Sequence, residues 1–399
     1  MIKRIISFFY RILFNFIASI FPVKKQMVIF ESFNGKIPSD NPLAIYQEMI
    51  QSTDFADWTF YWSIKKESLS EAKKKYPEIF FISRFSFKWL LLMPRAGFWI
   101  FNSRLSEWLK KNKQTIYLQT WHGTPLKKLG ADIDNVVMPN TDTQKYKAGF
   151  YKESNRWDYL IAPNEYSKNI FKTAFGFENT FLDIGYPRND VLVRFKDDDN
   201  TISQLKKKII GDRKGHVLLY APTWRDDYFI SKGNYKFFMP FELSQLTSRM
   251  NKDDTLIIRP HYLVKESIVI DGYEDQIKIC SDEDINELYL ISDCLITDYS
   301  SVMFDYLILK KPLIFYPYDL NHYENGIRGF YFDYSEVPGS ICLDEQSFYQ
   351  VIEKFCRQTI DSECSDTKYL EFYNKFCSWE NGDAANKVAE LIKECNIRG

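Results

Sequence analysis

Residues 293–319 read DCLITDYSSVMFDYLILKKPLIFYPYD, and the pattern of this stretch decides the fold. Two short runs, 293–301 and 312–319, are apolar on successive positions and flank a stretch of helical character. A strand that is apolar at neighbouring positions, rather than at every second one, is covered on both faces, as in a parallel sheet. The segment therefore predicts one strand–helix–strand unit of a parallel α/β sheet.

The same signature repeats outward along the chain. MVIFES at 27–32, WTFYWSI at 58–64, FWIFNS at 98–103, TIYLQTW at 115–121, DYLIAPN at 158–164 and TFLDIGYP at 180–187 form one series. HVLLYAPTW at 216–224, TLIIRPH at 255–261 and QIKICS at 276–281 precede the opening segment in a second. Residues 194–215 are charged, lack a buried pattern and place the boundary between the two. The expected class is α/β: two doubly wound, Rossmann-type domains, 26–195 and 216–382, facing a cleft, with helices at 1–25 and 383–399. In such sheets ligands bind beyond the carboxyl ends of the strands.

Size and composition agree. A chain of 399 residues with 45% apolar and 26% charged residues is too apolar for disorder and usually too long for one core. The net charge of −1 hides a division, because residues 1–130 hold 20 Lys/Arg against 9 Asp/Glu, leaving 32 against 44 for the rest. A basic first third points to anionic phosphates or a membrane surface. The seven cysteines fall between Cys280 and Cys395 without a C-x-x-C pair, which argues against a zinc or disulfide framework and for a reducing compartment.

Between Met1 and Phe21 the polar residues Lys3, Arg4, Ser7, Arg11, Asn15 and Ser19 recur about every four positions among Ile, Leu, Phe and Tyr. On a helix they draw one narrow polar stripe. Arg11 interrupts the run that a membrane span of about 20 apolar residues needs, so the reading is an in-plane helix on an anionic membrane surface, assisted by Lys24 and Lys25.

Each notable polar cluster lies where a strand runs out. His122 follows one strand, with Gly123, Thr124, Pro125, Lys127 and Lys128 behind it; Arg188 follows another. Thr223 and Arg225, then Arg259 and His261, then Asp298, Ser300, Ser301 and Asp305 follow three more. Ser300 and Ser301 are expected at the amino end of a helix running to about Lys310, where free N–H groups favour an anion. Asp305 falls one turn further on the same face, placed to accept from a ribose or polyol hydroxyl.

WHGTPLKKLG (121–130), GYPRND (185–190), YAPTWRDD (220–227), RPH (259–261), the long run 296–334 and the following PG together resemble the CDP-glycerol glycerophosphotransferases that build teichoic acids and related phosphopolyol capsules. The resemblance runs in order from about Gln119 to Gly339. It implies a GT-B-like fold, a membrane-associated acceptor domain and a carboxy-terminal domain that holds the CDP-alcohol. The donor is then CDP-glycerol or CDP-ribitol, and the acceptor a polyprenyl-diphosphate-linked molecule at the cytoplasmic face of the cell membrane. The motifs add Trp121, Pro222, Pro260 and Arg328 to the expected substrate-binding residues. The chain departs from the family's R-P-H-P at Tyr262.

Transfer from a CDP-polyol needs positioning and charge neutralisation more than covalent catalysis. His122 is the expected general base, and Arg188, Arg259, His261, Ser300 and Ser301 the expected donors to the diphosphate. No DxD-like acidic cluster lies inside the motifs; Asp226-Asp227 is the one acidic pair that could be read otherwise, and the expectation is neither metal nor cofactor, and no nucleic-acid partner. The competing readings are a glycosyltransferase of the same architecture using a nucleotide sugar, and a non-catalytic membrane-bound subunit.

Overall fold

The computed structural model describes residues 2–136, 142–223, 229–231, 234–235, 239–260, 268, 270–320, 329–357, 364 and 366–398. The chain divides into two compact units. Unit 1 holds residues 1–123, 129–190 and 379–399; unit 2 holds 124–128 and 191–378.

Unit 1 is built on seven parallel strands: β1 (Lys24–Glu31), β2 (Thr59–Ile64), β3 (Phe81–Ser83), β4 (Ala96–Phe101), β5 (Ile116–Gln119), β6 (Tyr159–Ala162) and β7 (Thr180–Asp183). Their spatial order is β3-β2-β1-β4-β5-β6-β7, so the winding reverses between β1 and β4. Both faces are covered. Met27 and Ile29 enter one core with Trp99, Phe101 and Tyr117, while Val28 and Phe30 enter another with Phe98, Ile100 and Leu118. Successive residues of a strand point to opposite faces, which is why these runs show no alternation in sequence.

Unit 2 repeats the scheme. Its sheet uses β8 (Val217–Tyr220), β11 (Thr255–Ile258), β12 (Ile277–Ile279), β13 (Cys294–Thr297), β14 (Leu313–Phe315) and β15 (Ser340–Ile341) in the order β12-β11-β8-β13-β14-β15. The strands run parallel, and the winding reverses between β8 and β13. A separate two-stranded piece pairs β9 (Phe229–Ser231) with β10 (Asn234–Tyr235).

Three features differ from the sequence reading. The charged stretch 194–215 is largely helix: Asp199–Ile210 buries Ile209 and Ile210, and Lys208 pairs with Glu287 at 3.0 Å. The helix Ala384–Arg398 belongs to unit 1, where Val388, Ala389 and Ile392 join the core of Val28 and Phe30. Asp190 caps it, accepting from Ala384 N at 3.0 Å and Ala385 N at 2.8 Å. The chain also passes from unit 1 into unit 2 at Gly123–Thr124, inside a motif the sequence presents as one piece.

Helix α1 (Ile2–Ile20) rests on unit 1 by a narrow face of Phe14, Ile17 and Ala18, with Phe14 against Trp89 and Trp108 at 5.3 and 5.5 Å. Part of its polar stripe also faces the protein, since Asn15 Oδ1 accepts from Lys110 N and Ser19 Oγ from Lys110 Nζ. Ile5, Ile6, Phe8, Phe9, Ile12 and Phe16 stay at least 48% exposed. No helix among the described residues is long and apolar enough to cross a membrane.

Candidate active site

β5 ends at Gln119, and His122 follows three residues later. Trp121 turns the chain at φ 52° and stacks on the imidazole, ring centroids 4.6 Å apart. Trp121 is itself wedged against Phe171 and Phe175, and Phe33 meets the imidazole edge-on at 5.5 Å. His122 Nδ1 lies 2.8 Å from the carbonyl oxygen of Asn102, just beyond the end of β4. A carbonyl only accepts, so Nδ1 carries the proton and Nε2 keeps the lone pair. Burial holds the pKa of this imidazole below its usual 6.5; Asp40 and the Asn102 bond oppose that shift, and Arg188 adds to it. The result is a neutral ring with a fixed tautomer.

Two elements hold this peptide from behind. Arg188, in the turn Pro187–Asn189 after β7, donates from Nη1 to His122 O at 2.8 Å and to Asp40 Oδ2 at 2.9 Å. Its backbone N–H donates to Asn41 Oδ1, and Asn41 Nδ2 donates to Trp121 O at 3.1 Å. Asp40 and Asn41 open helix α2 (Asp40–Gln51). The sequence assigned Arg188 to the donor diphosphate; its side chain is 10% exposed and engaged with Asp40 and His122, so it stands as a support of the histidine. Gly123 is buried and donates to Tyr186 Oη at 3.2 Å. Thr124 and Pro125 are buried in unit 2, where their neighbours pair with 329–331: Tyr331 N donates to Leu126 O at 2.9 Å and Lys128 N to Gly329 O at 2.8 Å. These bonds give the tail of the motif a structural task.

In unit 2 the strand ends nearest the reversal of winding carry two of the remaining motifs. Ala221, Pro222 and Thr223 follow β8, and Asp298, Tyr299, Ser300 and Ser301 follow β13. Asp298 is 2% exposed and ties the two together, its Oδ1 accepting from Thr223 N at 2.8 Å and from Tyr299 N at 2.6 Å. Its carbonyl accepts from Tyr334 Oη at 2.7 Å. Unit 1 uses the same device at its own reversal point, where Asn102 Oδ1 accepts from Phe33 N at 2.8 Å. In each unit a polar side chain after the fourth strand fixes the loop after the first.

Ser300 and Ser301 are half-buried, and Ser301 makes no side-chain cap. The helix behind them is shorter than its apolar run implied: Val302–Tyr306 is α, Leu307–Leu309 is 3₁₀, and Lys310 ends it at φ 53°. A dipole from so few peptides is small, so anion attraction here falls to the hydroxyls and local N–H groups. Asp305 is only 8% exposed, which leaves little of it for a ribose. Arg259 follows β11 beside the buried Pro260, donates from Nη1 to Cys280 O at 3.0 Å, and feels Glu283 and Asp284. Arg225, His261, Tyr262 and Arg328 lie outside the described residues. Sequence reasoning missed Asn102, Asp40, Asn41 and Phe33, although the Asn of FWIFNS is a polar residue at the end of a buried strand.

A neutral, oriented imidazole beyond one doubly wound sheet and a hydroxyl-bearing strand end beyond another define the class: an α/β group transferase with its polar groups at the carboxyl ends of the strands. The chain belongs to the CDP-glycerol:poly(glycerophosphate) glycerophosphotransferase family, whose description matches residues 13–394. It is 44% identical over 381 residues to the teichoic acid glycerol-phosphate transferase of Staphylococcus aureus, covering 92% of this chain and 93% of that protein. It is 43% identical over 392 residues to the teichoic acid poly(glycerol phosphate) polymerase of Bacillus subtilis, but spans about half, 51%, of that longer protein. Among solved structures, a CDPG-soaked form of the wall teichoic acid polymerase TagF superposes with a TM-score of 0.88 at 38% identity, covering 98% of this chain and 93% of that one.

Proposed function

We propose that this chain transfers glycerol phosphate from CDP-glycerol to a hydroxyl of a polyprenyl-diphosphate-linked acceptor at the cytoplasmic membrane face, in teichoic acid synthesis. The observation that carries the reading is the 2.8 Å bond between His122 Nδ1 and the Asn102 carbonyl, which makes Nε2 a base at neutral pH. The acceptor oxygen attacks the phosphorus that bears glycerol; its proton goes to Nε2, the new P–O bond forms, and the bond to the CMP oxygen breaks. On the donor side Ser300, Ser301 and Arg259 bind the diphosphate, with His261 assigned to it from sequence and Arg225 and Arg328 assigned from sequence to substrate binding. Arg188 and Asp40 position His122. Glycerol rather than ribitol is favoured by the 43% and 44% identities to glycerol-phosphate enzymes.

The exposed apolar side of α1 supports an in-plane membrane seat, for a row of Ile and Phe without protein cover fits the acyl boundary of a bilayer. The deciding experiment incubates the full chain with CDP-glycerol, CDP-ribitol or UDP-sugars, with and without lipid acceptor. The expected result is CMP release from CDP-glycerol that depends on acceptor. UDP release from a UDP-sugar would establish the glycosyltransferase reading, and no release from any donor the non-catalytic one.

A further inference from the structure

The loop after β4, residues 102–109, is locked to the turn that carries the base. Asn102 O holds His122 Nδ1, and Asn102 Oδ1 accepts from Ser103 Oγ at 3.1 Å. Gln119, fully buried at the end of β5, bridges the two segments: its Nε2 donates to Ser103 O at 3.3 Å and its Oε1 accepts from Trp121 N at 3.0 Å. Farther along, Leu105 N donates to Glu153 Oε1 at 3.1 Å, and Arg156 donates to the carbonyls of Leu105 and Ser106 at 3.4 and 3.3 Å. The backbone is therefore fixed on either side of Arg104.

The Arg104 guanidinium lies over the Phe150 ring at 3.5 Å and near Tyr146 at 5.6 Å, both on the helix Thr143–Ser154. Phe150 stacks on Phe175 at 5.7 Å, Phe175 meets Trp121 at 4.5 Å, and Trp121 stacks on His122, so one aromatic row runs from guanidinium to base. Along the chain Arg104 is two residues from Asn102, no more than about 7 Å of backbone. Among the described residues no hydrogen bond or ion pair uses its N–H groups, and the side chain is half-buried. Burial disfavours its charge, while Tyr146, Glu153 and Glu107 favour it. Both carboxylates are already paired elsewhere: Glu153 with Arg156 Nη2 at 3.1 Å and Glu107 with Lys152 Nζ at 3.3 Å. A guanidinium held flat on a ring, partly stripped of water and with its fork unused, matches two oxygens of a phosphate.

We propose that Arg104 binds a phosphate of the acceptor and so steers the acceptor hydroxyl to His122. The inference rests on the transfer reading above. The phosphate is the acceptor's because Arg104 belongs to the unit that carries the base, whereas Ser300 and Ser301 belong to the other. Two sources share this chemistry: the diphosphate joining the acceptor to its lipid, and a glycerol phosphate unit already added.

The test uses the full chain, CDP-glycerol and three soluble acceptors on one saccharide: a short-alkyl diphosphate, a neutral alkyl glycoside bearing one glycerol phosphate, and the neutral glycoside alone. Arg104→Ala should raise KM for a phosphate-bearing acceptor about tenfold or more, with a far smaller change in kcat and in KM for CDP-glycerol, as loss of a charge-assisted contact does. Arg104→Gln, which keeps a stem over Phe150, should give the same rise and carries the comparison if Arg104→Ala melts lower. Arg104→Lys, a point charge without the fork, should recover part of the loss. The acceptor that shows the rise identifies the source. An equal rise on the neutral glycoside, or none on any acceptor, overturns the subsite. Should wild type release no CMP at all, the transfer reading fails by itself; calorimetry with the three saccharides then judges the subsite, tighter binding of a phosphate-bearing one that Arg104→Gln abolishes upholding it and any other pattern overturning it.

Discussion

His122 illustrates how one side chain is prepared by its neighbours. Its tautomer is set by the Asn102 carbonyl, its ring plane by Trp121 and Phe33, and its backbone by Arg188 and Asn41. His122→Ala should lower kcat by about 10²-fold or more while calorimetric affinity for a CDP-alcohol analogue is retained. Near-normal turnover would remove it from the mechanism. Because burial lowers its pKa, the acid limb of kcat/KM should fall below 6.5. The two neighbours act on that limb in opposite senses. Arg188→Ala removes a cation that disfavours the imidazolium and should move the limb up; Asp40→Asn removes an anion that favours it and should move the limb down. Asparagine suits position 40, whose φ is 62°. Folding follows the same sign: the unfolded histidine takes its proton first as pH falls, so stability that this site contributes at neutral pH is lost below 6.5. On the donor side, Ser300→Ala with Ser301→Ala should weaken CDP-alcohol binding by roughly 1–3 kcal/mol, the usual cost of deleted donors to a charged group; unchanged affinity would place the diphosphate elsewhere.

Elements divide into those that write themselves in the sequence and those that do not. Buried central strands such as Val217–Tyr220 and Cys294–Thr297 are legible because covering both faces forces unbroken apolar runs. The edge strands Phe81–Ser83 and Ser340–Ile341 are three and two residues long, too short for any period, and only pairing with a formed sheet creates them. The motif GYPRND was legible as a strand end, but its division of labour was not. Arg188 supports the base, Asn189 donates to Glu380 at 3.0 Å, and Asp190 caps a helix that begins 194 residues later. Such a partnership has no local signal. Asp190→Ala should cost about 1–2 kcal/mol, the value of a lost N-cap, and lower the melting temperature. Loss of CDP-alcohol affinity at unchanged melting temperature would instead make Asp190 a ligand.

At the scale of the molecule, the uneven charge and the first helix both bear on the membrane seat proposed above. Deleting residues 1–25 tests it poorly, since it would also strip Phe14 and Ile17 from the core of unit 1 and the first residues of β1. The exposed side can be changed without touching that face. Phe8, Phe9 and Phe16 are 60%, 63% and 51% exposed, so Phe8→Ser, Phe9→Ser and Phe16→Ser together should leave the melting temperature where it is. Fully burying one Phe contributes about 1.5–3 kcal/mol, and three at partial depth on the order of 3 kcal/mol, or roughly 100-fold in vesicle partitioning. Raising salt should release the wild type only in part, because screening acts on the basic residues and spares the apolar contact. The triple variant, left with charge alone, should bind anionic vesicles weakly at low salt and leave them as salt rises. Sedimentation with vesicles as strong as wild type, with the same salt dependence, would move the membrane contact away from α1 to the basic remainder of unit 1.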